Sequence, residues 1–454
     1  MWGWRSKIKN ITNDMKNRVF LLFCLMAISG SLLAQENAGK QKIISLQQCI
    51  ERALDENYSI KIIRSEEQIA DNNANLAPFL PTIGVDVQQS QKINDVKTTT
   101  AGVDNKVDDA KTNALSAGLG VKWRLFDGLA MFTNYDKSKE LLAVGELNTK
   151  LAIEELIVNV STAYYSVIVQ HSKLDAARHS LSLSQERFNE AKDKYLLGVV
   201  SGLDMQQSKI DLNADSSRYM KQKELLKSAY ITLNMMMNND LQEAMYVDDS
   251  IFLREPMFLS VLKDYTVANN TILQIARKKQ RISALDVRLA RSAYLPTLDF
   301  NGGYNLSRTK TPESMTTYNR SNGPYWGFTL SMNIFDRLEN TRKIRNAKLQ
   351  REQSEWSYMD IELQTMSDLS QLFNTYENNL QIVNFEHESA DLAAENLDAA
   401  LEKYKLGSLS GIEFREFQRS YIDAVDRKLS AIFQAKISEL ELLLISGRIA
   451  SDEE

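Results

Sequence analysis

From Ile153 to Tyr195 a seam position recurs at steps of four and three residues: Ile153, Ile157, Val160, Tyr164, Val167, His171, Leu174, Arg178, Leu181, Ser184, Phe188, Ala191 and Tyr195, ten of them apolar. Adding 209 to each number gives a second series, from Glu362 to Tyr404, in which eleven positions are apolar. A 3.5-residue repeat held this long is the seam of a coiled coil. Its constant offset has a physical cause, since one inserted residue would rotate every later position off its partner. Asp127 and Asp336 stand where N-caps would start the two helices. From Asp127 to Tyr195 is 68 residues, roughly 100 Å of helix. No compact domain needs such a rod.

Upstream of each rod the period falls to two. Ile83, Val85 and Val87 alternate with Thr82, Gly84, Asp86 and Gln88, and Leu115 to Leu125 alternate with Ser116, Gly118, Gly120, Lys122 and Arg124. In the second half Leu298, Phe300 and Tyr304, then Trp326, Phe328, Leu330, Met332 and Ile334, alternate with Gly, Ser, Thr, Asn and Asp. Four strands of about ten residues, apolar on one face and polar or glycine on the other, carry the pattern of an outer-membrane barrel. Pro81 and Pro296 sit where strands begin, one of the few places a sheet accepts proline. The polar run "NDVKTTTAGVDNKVDDAKTN" between the first two strands reads as an external loop.

Four strands are too few to enclose a channel, and an open sheet edge in lipid leaves each backbone group unpaired at a cost of several kcal/mol. Three chains contributing twelve strands make the smallest cyclic assembly with room for a lumen. A periplasmic sandwich joined to coiled coils would use the same strands, but it leaves the glycine-and-charge faces without a purpose.

Targeting and charge agree with this reading. Met15 begins a secretory signal: Lys16 and Arg18 are its basic start, Val19 to Ile28 its apolar core, and Ala34 closes it. Residues 1–34 are thus expected to be a signal peptide with an N-terminal extension, and Met15 to be a better start than Met1. Phe23 precedes Cys24 where a lipoprotein signal needs a small residue, so no lipid anchor is expected. Beyond Ala34 only Cys49 remains, which leaves no internal disulfide. The same stretch holds 49 basic and 58 acidic residues, a net charge of −9 that disfavours nucleic acid as a partner. No run of 18 apolar residues follows the signal, which argues against a bundle of membrane-spanning helices.

The motifs "LPT" (twice), "LFDG" at Leu125 with "IFDR" at Ile334, and "KYLLGVVSG" at Lys194 with "KYKLGSLSG" at Lys403 are paired in order along the chain. Together they resemble the TolC-type outer-membrane efflux channel family from about residue 45 to about Ile445. The resemblance implies a mixed α and β membrane protein, a homotrimer whose 12-stranded outer-membrane β-barrel continues into a long periplasmic α-helical coiled-coil barrel. Each chain would be two internal repeats. The first, 35–245, would hold a hairpin at about 82–126, a long helix at about 128–197 and a returning helix at about 202–237. The second, 246–454, would hold the same at about 297–335, 337–406 and 411–446. Helical segments near the termini and at 260–292 would complete the wall. Expected partners are outer-membrane lipid, a periplasmic adaptor protein and an inner-membrane pump, serving tripartite efflux or type I secretion.

The duplicated turns are then the periplasmic tips. Gly198 and Gly407 suit the left-handed residue that ends a helix. Ser201 and Ser410 suit N-caps of the returning helices, with Asp204 and Glu413 completing capping boxes. By resemblance Tyr195, Gly198, Ser201, Gly202, Gly407, Ser410 and Gly411 belong to the adaptor-docking tips, and Glu413, Glu416, Asp204 and Tyr404 to the entrance gate. Glu416 has no capping role and its counterpart is Gln207, so three copies would carry one ring of three carboxylates. Tyr404 also belongs to the seam, where packing alone would explain it. Some family members have an arginine where Leu409 stands, and leucine forms no ion pair.

An enzyme finds little support. His171 and His387 occupy seam positions, His179 stands alone, and no metal-ligand spacing or nucleotide loop occurs. Met235 to Met237 suit packing at the base of a returning helix better than soft-metal binding. No cofactor is expected. Two function classes therefore fit: a passive trimeric exit channel, or a structural trimeric envelope coiled coil of adhesin-like type without a conduit.

Overall fold

The computed structural model describes residues 43–449, apart from 101, 244, 248–249 and 313–316. The signal segment expected at 1–34 lies outside the described residues. In chain order the elements are β1 (Ile43–Ile44), α1 (Leu46–Glu56), α2 (Tyr58–Asn73), β2 (Thr82–Thr100), β3 (Val103–Asp127), α3 (Ala130–Leu196) and α4 (Gly202–Met236). Then come β4 (Tyr246–Val247), α5 (Leu259–Asn269), α6 (Thr271–Ser292), β5 (Thr297–Lys310), β6 (Tyr318–Ser331), α7 (Glu339–Lys405) and α8 (Gly411–Ile445).

The two rods α3 and α7 have 67 residues each, roughly 100 Å, and the returning helices α4 and α8 have 35 each. Nearest the sheet the helices pack side by side in the order α2–α3–α6–α7; toward the far end the order is α4–α3–α8–α7. Seam residues Val160, Tyr164, Val167 and Leu174 of α3, and Leu369, Phe373, Tyr376, Leu397 and Ala400 of α7, are buried. His171 and His387 instead turn toward Asp175 and Asp391 one helical turn on, at 3.4 and 3.0 Å. More than half of the most apolar stretch of α3 is buried within the fold, as in the core helix of a helical wall.

The main core lies at mid-height, where the returning helices stop. Ile44, Cys49, Val160, Tyr164, Val167, Leu233, Met237, Leu443 and Ile449 pack together there, under the short parallel pair β1–β4. Met237 is fully buried, Met236 packs against this core and Met235 is exposed, so the methionine triplet is a packing edge. Asn57 caps α2 by accepting from the Ser59 N–H at 2.8 Å, and its amide donates to the Met236 carbonyl at the end of α4 at 2.9 Å. Asn270 does the same for α6 and the Ile445 carbonyl of α8, at 2.9 and 2.8 Å. One side chain thus satisfies a starting and an ending helix at once. The returning helices end on left-handed residues, Asn238 and Gly447 (φ 53° and 67°). A Cβ on Gly447 would lie 2.6 Å from the Asn269 carbonyl oxygen, so only glycine allows that approach.

The strand-to-helix joints correct the capping expectation for Asp127 and Asp336. Two left-handed residues follow each aspartate, Gly128–Leu129 (φ 69° and 72°) and Arg337–Leu338 (φ 59° and 64°), so the formal caps are Leu129 and Leu338. Each carboxylate still reaches the first turn, accepting from the Met131 N–H at 2.9 Å and the Asn340 N–H at 2.7 Å.

The four long strands form one antiparallel sheet in the order β2–β3–β5–β6. Register aligns Val85, Leu119, Tyr304 and Pro324 on one face, and Asp86, Gly118, Asn305 and Gly323 on the other. The expected strand lengths need revision. The polar run expected as a loop is paired nearly to its tip, Thr100 opposite Val103, while pairing of β3 to β5 stops at Asn113. β2 and β3 therefore continue past the sheet as a two-stranded ribbon, stitched by Lys97–Asp104 at 2.8 Å. A bulge interrupts the alternation between Arg124 and Phe126. β6 ends at Ser331, short of the expected 335, and leaves Ile334 94% exposed. Among the described residues its outer edge, like that of β2, has no strand to pair with.

On the polar face Tyr325 lies across a row of glycines: a Cβ on Gly303 would be 3.0 Å from its hydroxyl and 2.2 Å from the Leu119 carbonyl oxygen. Gly303→Val is expected to force β3 and β5 apart and abolish assembled protein in outer-membrane fractions, read by immunoblot; Gly323→Val, with open space around its Cβ position, should assemble normally.

Candidate functional site: the paired helical tips and the junction above them

The tips are two copies of one turn. Gly198 takes φ 74°, the Val199 N–H donates to the Lys194 carbonyl and the Gly198 N–H to the Tyr195 carbonyl, both at 2.9 Å. Gly407 takes φ 73°, with Ser408 to Lys403 and Gly407 to Tyr404 both at 3.0 Å. These paired bonds satisfy the last carbonyls of each rod and reverse the chain. Ser201 Oγ then accepts from the Asp204 N–H at 3.2 Å, and Asp204 Oδ2 accepts from the Ser201 hydroxyl at 2.7 Å. Ser410 and Glu413 repeat the box at 3.3 and 2.8 Å. The Ser410 N–H and hydroxyl donating to Glu413 hold its carboxyl below the usual carboxylate range. Gly202 leaves room for the Tyr195 ring, which would be 3.4 Å from a Cβ there, and Gly411 lies under Tyr404 in the same way.

The residues singled out from sequence fall into two groups. Asp204 and Glu413 cap their helices. Glu416 stands one turn further along α8, exposed, with Arg419 at 3.6 Å. Tyr404 stacks on Phe414 at 5.3 Å, and Lys194 Nζ lies 5.7 Å from its ring centre. Burial, then the nearby Glu190 charge, push the Tyr404 hydroxyl above its ordinary pKa. Among the described residues no hydrogen bond joins Asp204 to Tyr404. Leu409 packs against the Leu183, Leu397, Ala400 and Phe414 cluster.

A charged junction one to four turns above the tips has almost no signal in the sequence. Asp215 of α4 is buried and held by Arg415 of α8 through two bonds of 2.5 and 3.0 Å. The Ser184 hydroxyl of α3 donates to Asp215 at 2.5 Å, and the Gln418 amide donates to the Ser180 carbonyl at 2.9 Å and to Ser184 Oγ at 3.0 Å. Arg187 pairs with Asp211 and donates to the Gly411 carbonyl at 3.2 Å. Three helices from both halves of the chain meet in this network. Its one trace in the sequence is Ser184, one of three polar residues in a mostly apolar seam.

A sheet with one apolar face, set on helices roughly 100 Å long that reverse at capped tips, is the build of one subunit of a tubular outer-membrane channel. The sequence profile of the outer membrane efflux protein family matches residues 49–239 and 264–448, and the chain belongs to that family. It is 20% identical over 370 residues to the outer membrane protein TolC of Vibrio cholerae, covering 78% of this chain and 82% of that one. It is 21% identical over 425 residues to the probable efflux pump outer membrane protein TtgC of Pseudomonas putida, covering 89% and 83%. Among solved structures, the CmeC outer membrane channel of Campylobacter jejuni superposes with a TM-score of 0.74 over 89% of this chain and 85% of that one, at 16% identity. The MtrE outer membrane channel of Neisseria gonorrhoeae, in its open state, gives 0.69 over 89% of each chain, at 16% identity. The protein is an outer-membrane efflux channel, and the adhesin-like reading falls away.

Proposed function

We propose that three copies join their sheets into a 12-stranded barrel and their helices into one tube, forming the passive exit duct of a tripartite efflux or type I secretion system. The observation that carries this is the open sheet: β2 and β6 each leave one edge unpaired while the apolar face is fit for lipid. Each chain is read as two structural repeats, 35–245 and 246–454, and the tips at Tyr195–Gly202 and Tyr404–Gly411 as the surface that meets a periplasmic adaptor and, through it, an inner-membrane pump. The duct performs no reaction of its own and takes no cofactor.

At the entrance Asp204 and Glu413 keep the tips in shape, Tyr404 packs the inner seam, and Glu416 supplies an exposed carboxylate. Three Glu416 side chains around one axis would crowd like charges and attract cations. Planar-bilayer recording tests the reading. The wild-type protein is expected to give discrete cation-preferring current steps, and Glu416→Gln to keep the steps with reduced cation preference. No steps from the wild type would remove the duct; steps with unchanged selectivity in Glu416→Gln would remove the carboxylate ring.

A further inference from the structure

At mid-height α8 stops at Ile445 and α6 starts at Thr271. The change of helix leaves a hollow of about 510 Å³ between α3 and α7, built by this one chain. Its acidic lining residues are Glu154 and Glu155 of α3, Asp368 of α7 and Glu441 of α8. Leu151, Ile272 and Leu372 supply apolar surface, and no lysine, arginine or histidine is among the lining residues. Two of the carboxylates are incompletely paired. Glu154 is 1% exposed; its Oε2 accepts from the Thr271 hydroxyl at 2.8 Å, while Oε1 is buried without a hydrogen bond and has only Lys150 Nζ at 3.6 Å. Glu441 has no hydrogen bond or ion pair among the described residues, and burial pushes its carboxyl above the usual carboxylate range. A desolvated carboxylate without a partner is costly, and a bound cation would remove that cost.

The hollow opens on the face of the wall away from the mid-height core. Glu155 is two positions from Ile157, Gln371 two from Leu369 and Glu441 two from Leu443, which is about 200° around a helix. Ile157 and Leu443 pack in the core under β1–β4, and Leu369 packs with Leu262 of α5. The short elements β1, α1, β4 and α5 thus form a belt on one face of the helical wall, with the hollow on the other. In a tube made of three such walls the belt must lie outside, because an inner layer of helices about 10 Å thick would fill much of the bore. The hollow then faces the bore.

We propose that this hollow is a subsite for an amphipathic organic cation passing through the duct, with Glu441 and Glu154 meeting its charge and Ile272 and Leu372 its apolar body. The proposal rests on the duct reading above and names a class of cargo that the wall would hold. A hollow of this size is in the range of sites for small organic molecules. An inorganic ion fits less well: among the described residues no group of three or more histidine, cysteine, aspartate or glutamate side chains could hold a metal ion. The carboxylates are spread around the hollow, so a ligand that meets more than one needs a body, and the surface offered to that body is apolar. A conduit also needs sites that release what they hold, which an open hollow in the wall provides.

Fluorescence anisotropy of ethidium, a flat aromatic cation, tests this with the detergent-extracted protein. Saturable binding of one ethidium per chain is expected. Glu441→Gln should weaken it about tenfold. Ile272→Lys should abolish it, by placing a like charge at an exposed position of the hollow. Glu388→Gln, which removes an exposed acid far down α7, should leave it unchanged. No saturable binding to the wild type, equal affinity in wild type and Glu441→Gln, or an equal loss in Glu388→Gln overturns the subsite. Displacement of ethidium by an equal concentration of magnesium overturns it too, since the hollow would then take any cation. Current steps in planar bilayers without ethidium binding overturn the subsite and leave the duct standing; absence of current steps overturns the duct reading itself.

Discussion

Arg415→Ala is expected to loosen the lower half of the tube. It strips the two-bond partner from a carboxylate with almost no solvent access, leaving Asp215 with Arg218 at 3.7 Å and the neutral donors Ser184 and Gln418. Breaking one side of a buried ion pair typically costs about 3–5 kcal/mol, because the remaining charge stays desolvated. Replacing both partners with apolar residues of similar size should be far milder, so Arg415→Met with Asp215→Leu is expected to recover most of the loss. Hydrogen exchange resolves the difference: amides of α8 between Arg415 and Tyr421 should exchange much faster in the single variant and near the wild-type rate in the double. The tip turns, closed by their own backbone bonds, should be little changed in either. Equal protection in wild type and Arg415→Ala would mean that the junction does not hold the two hairpins together.

Deleting one residue from a rod should do still more damage. Removing Ser182 from α3 turns every later residue through roughly 100°, taking Leu183, Ser184, Arg187 and Ala191 off the faces they share with α4 and α8. The cost falls on the whole lower coil at once, so the protein is expected to be degraded or to accumulate unassembled. Removing Thr100 and Val103 together is the contrasting change. These residues face each other at the ribbon end, and losing both shortens it without altering register below. That variant should assemble at the wild-type level, as read by the trimer band in outer-membrane extracts. If the two deletions behave alike, register along the rod is not what organises the fold.

The contrast explains which parts of this molecule are legible in its sequence. The rods, the alternating strands and the tip turns are written by periodicity or by local chemistry: a seam every 3.5 residues, side chains alternating across a pleat, a glycine where the backbone must turn left. Each signal is complete within a few dozen residues. Asp215 and Arg415 are 200 positions apart and read separately as ordinary charged residues on helices; only the packing of α4 against α8 makes them a pair. Asn57 and Asn270 show their capping role locally, but their second bond, to the end of a returning helix, depends on the mid-height junction. The β2–β3 ribbon reads as a loop because polar residues cover both faces, which erases the alternation that marks a strand with one face in lipid. The joints after Asp127 and Asp336 differ from a plain N-cap because left-handed Leu129, Arg337 and Leu338 carry no sequence mark of that conformation.

At the tips, Glu413 illustrates how a capping carboxylate and a channel-lining carboxylate look alike in sequence. Three bonds to Ser410 account for it, leaving Glu416, three residues on, as the acid with no structural task in the helix start. Leu409, in the turn before α8, packs into an apolar cluster, and Arg415 stands further on, within α8.

In the proposed duct, four strands are one third of a barrel. Native mass spectrometry of the detergent-extracted protein measures this directly. Three copies in one complex is the result expected from a sheet with two unpaired edges and a helical wall open on both sides. A population made up of single chains, stable without detergent, would contradict it.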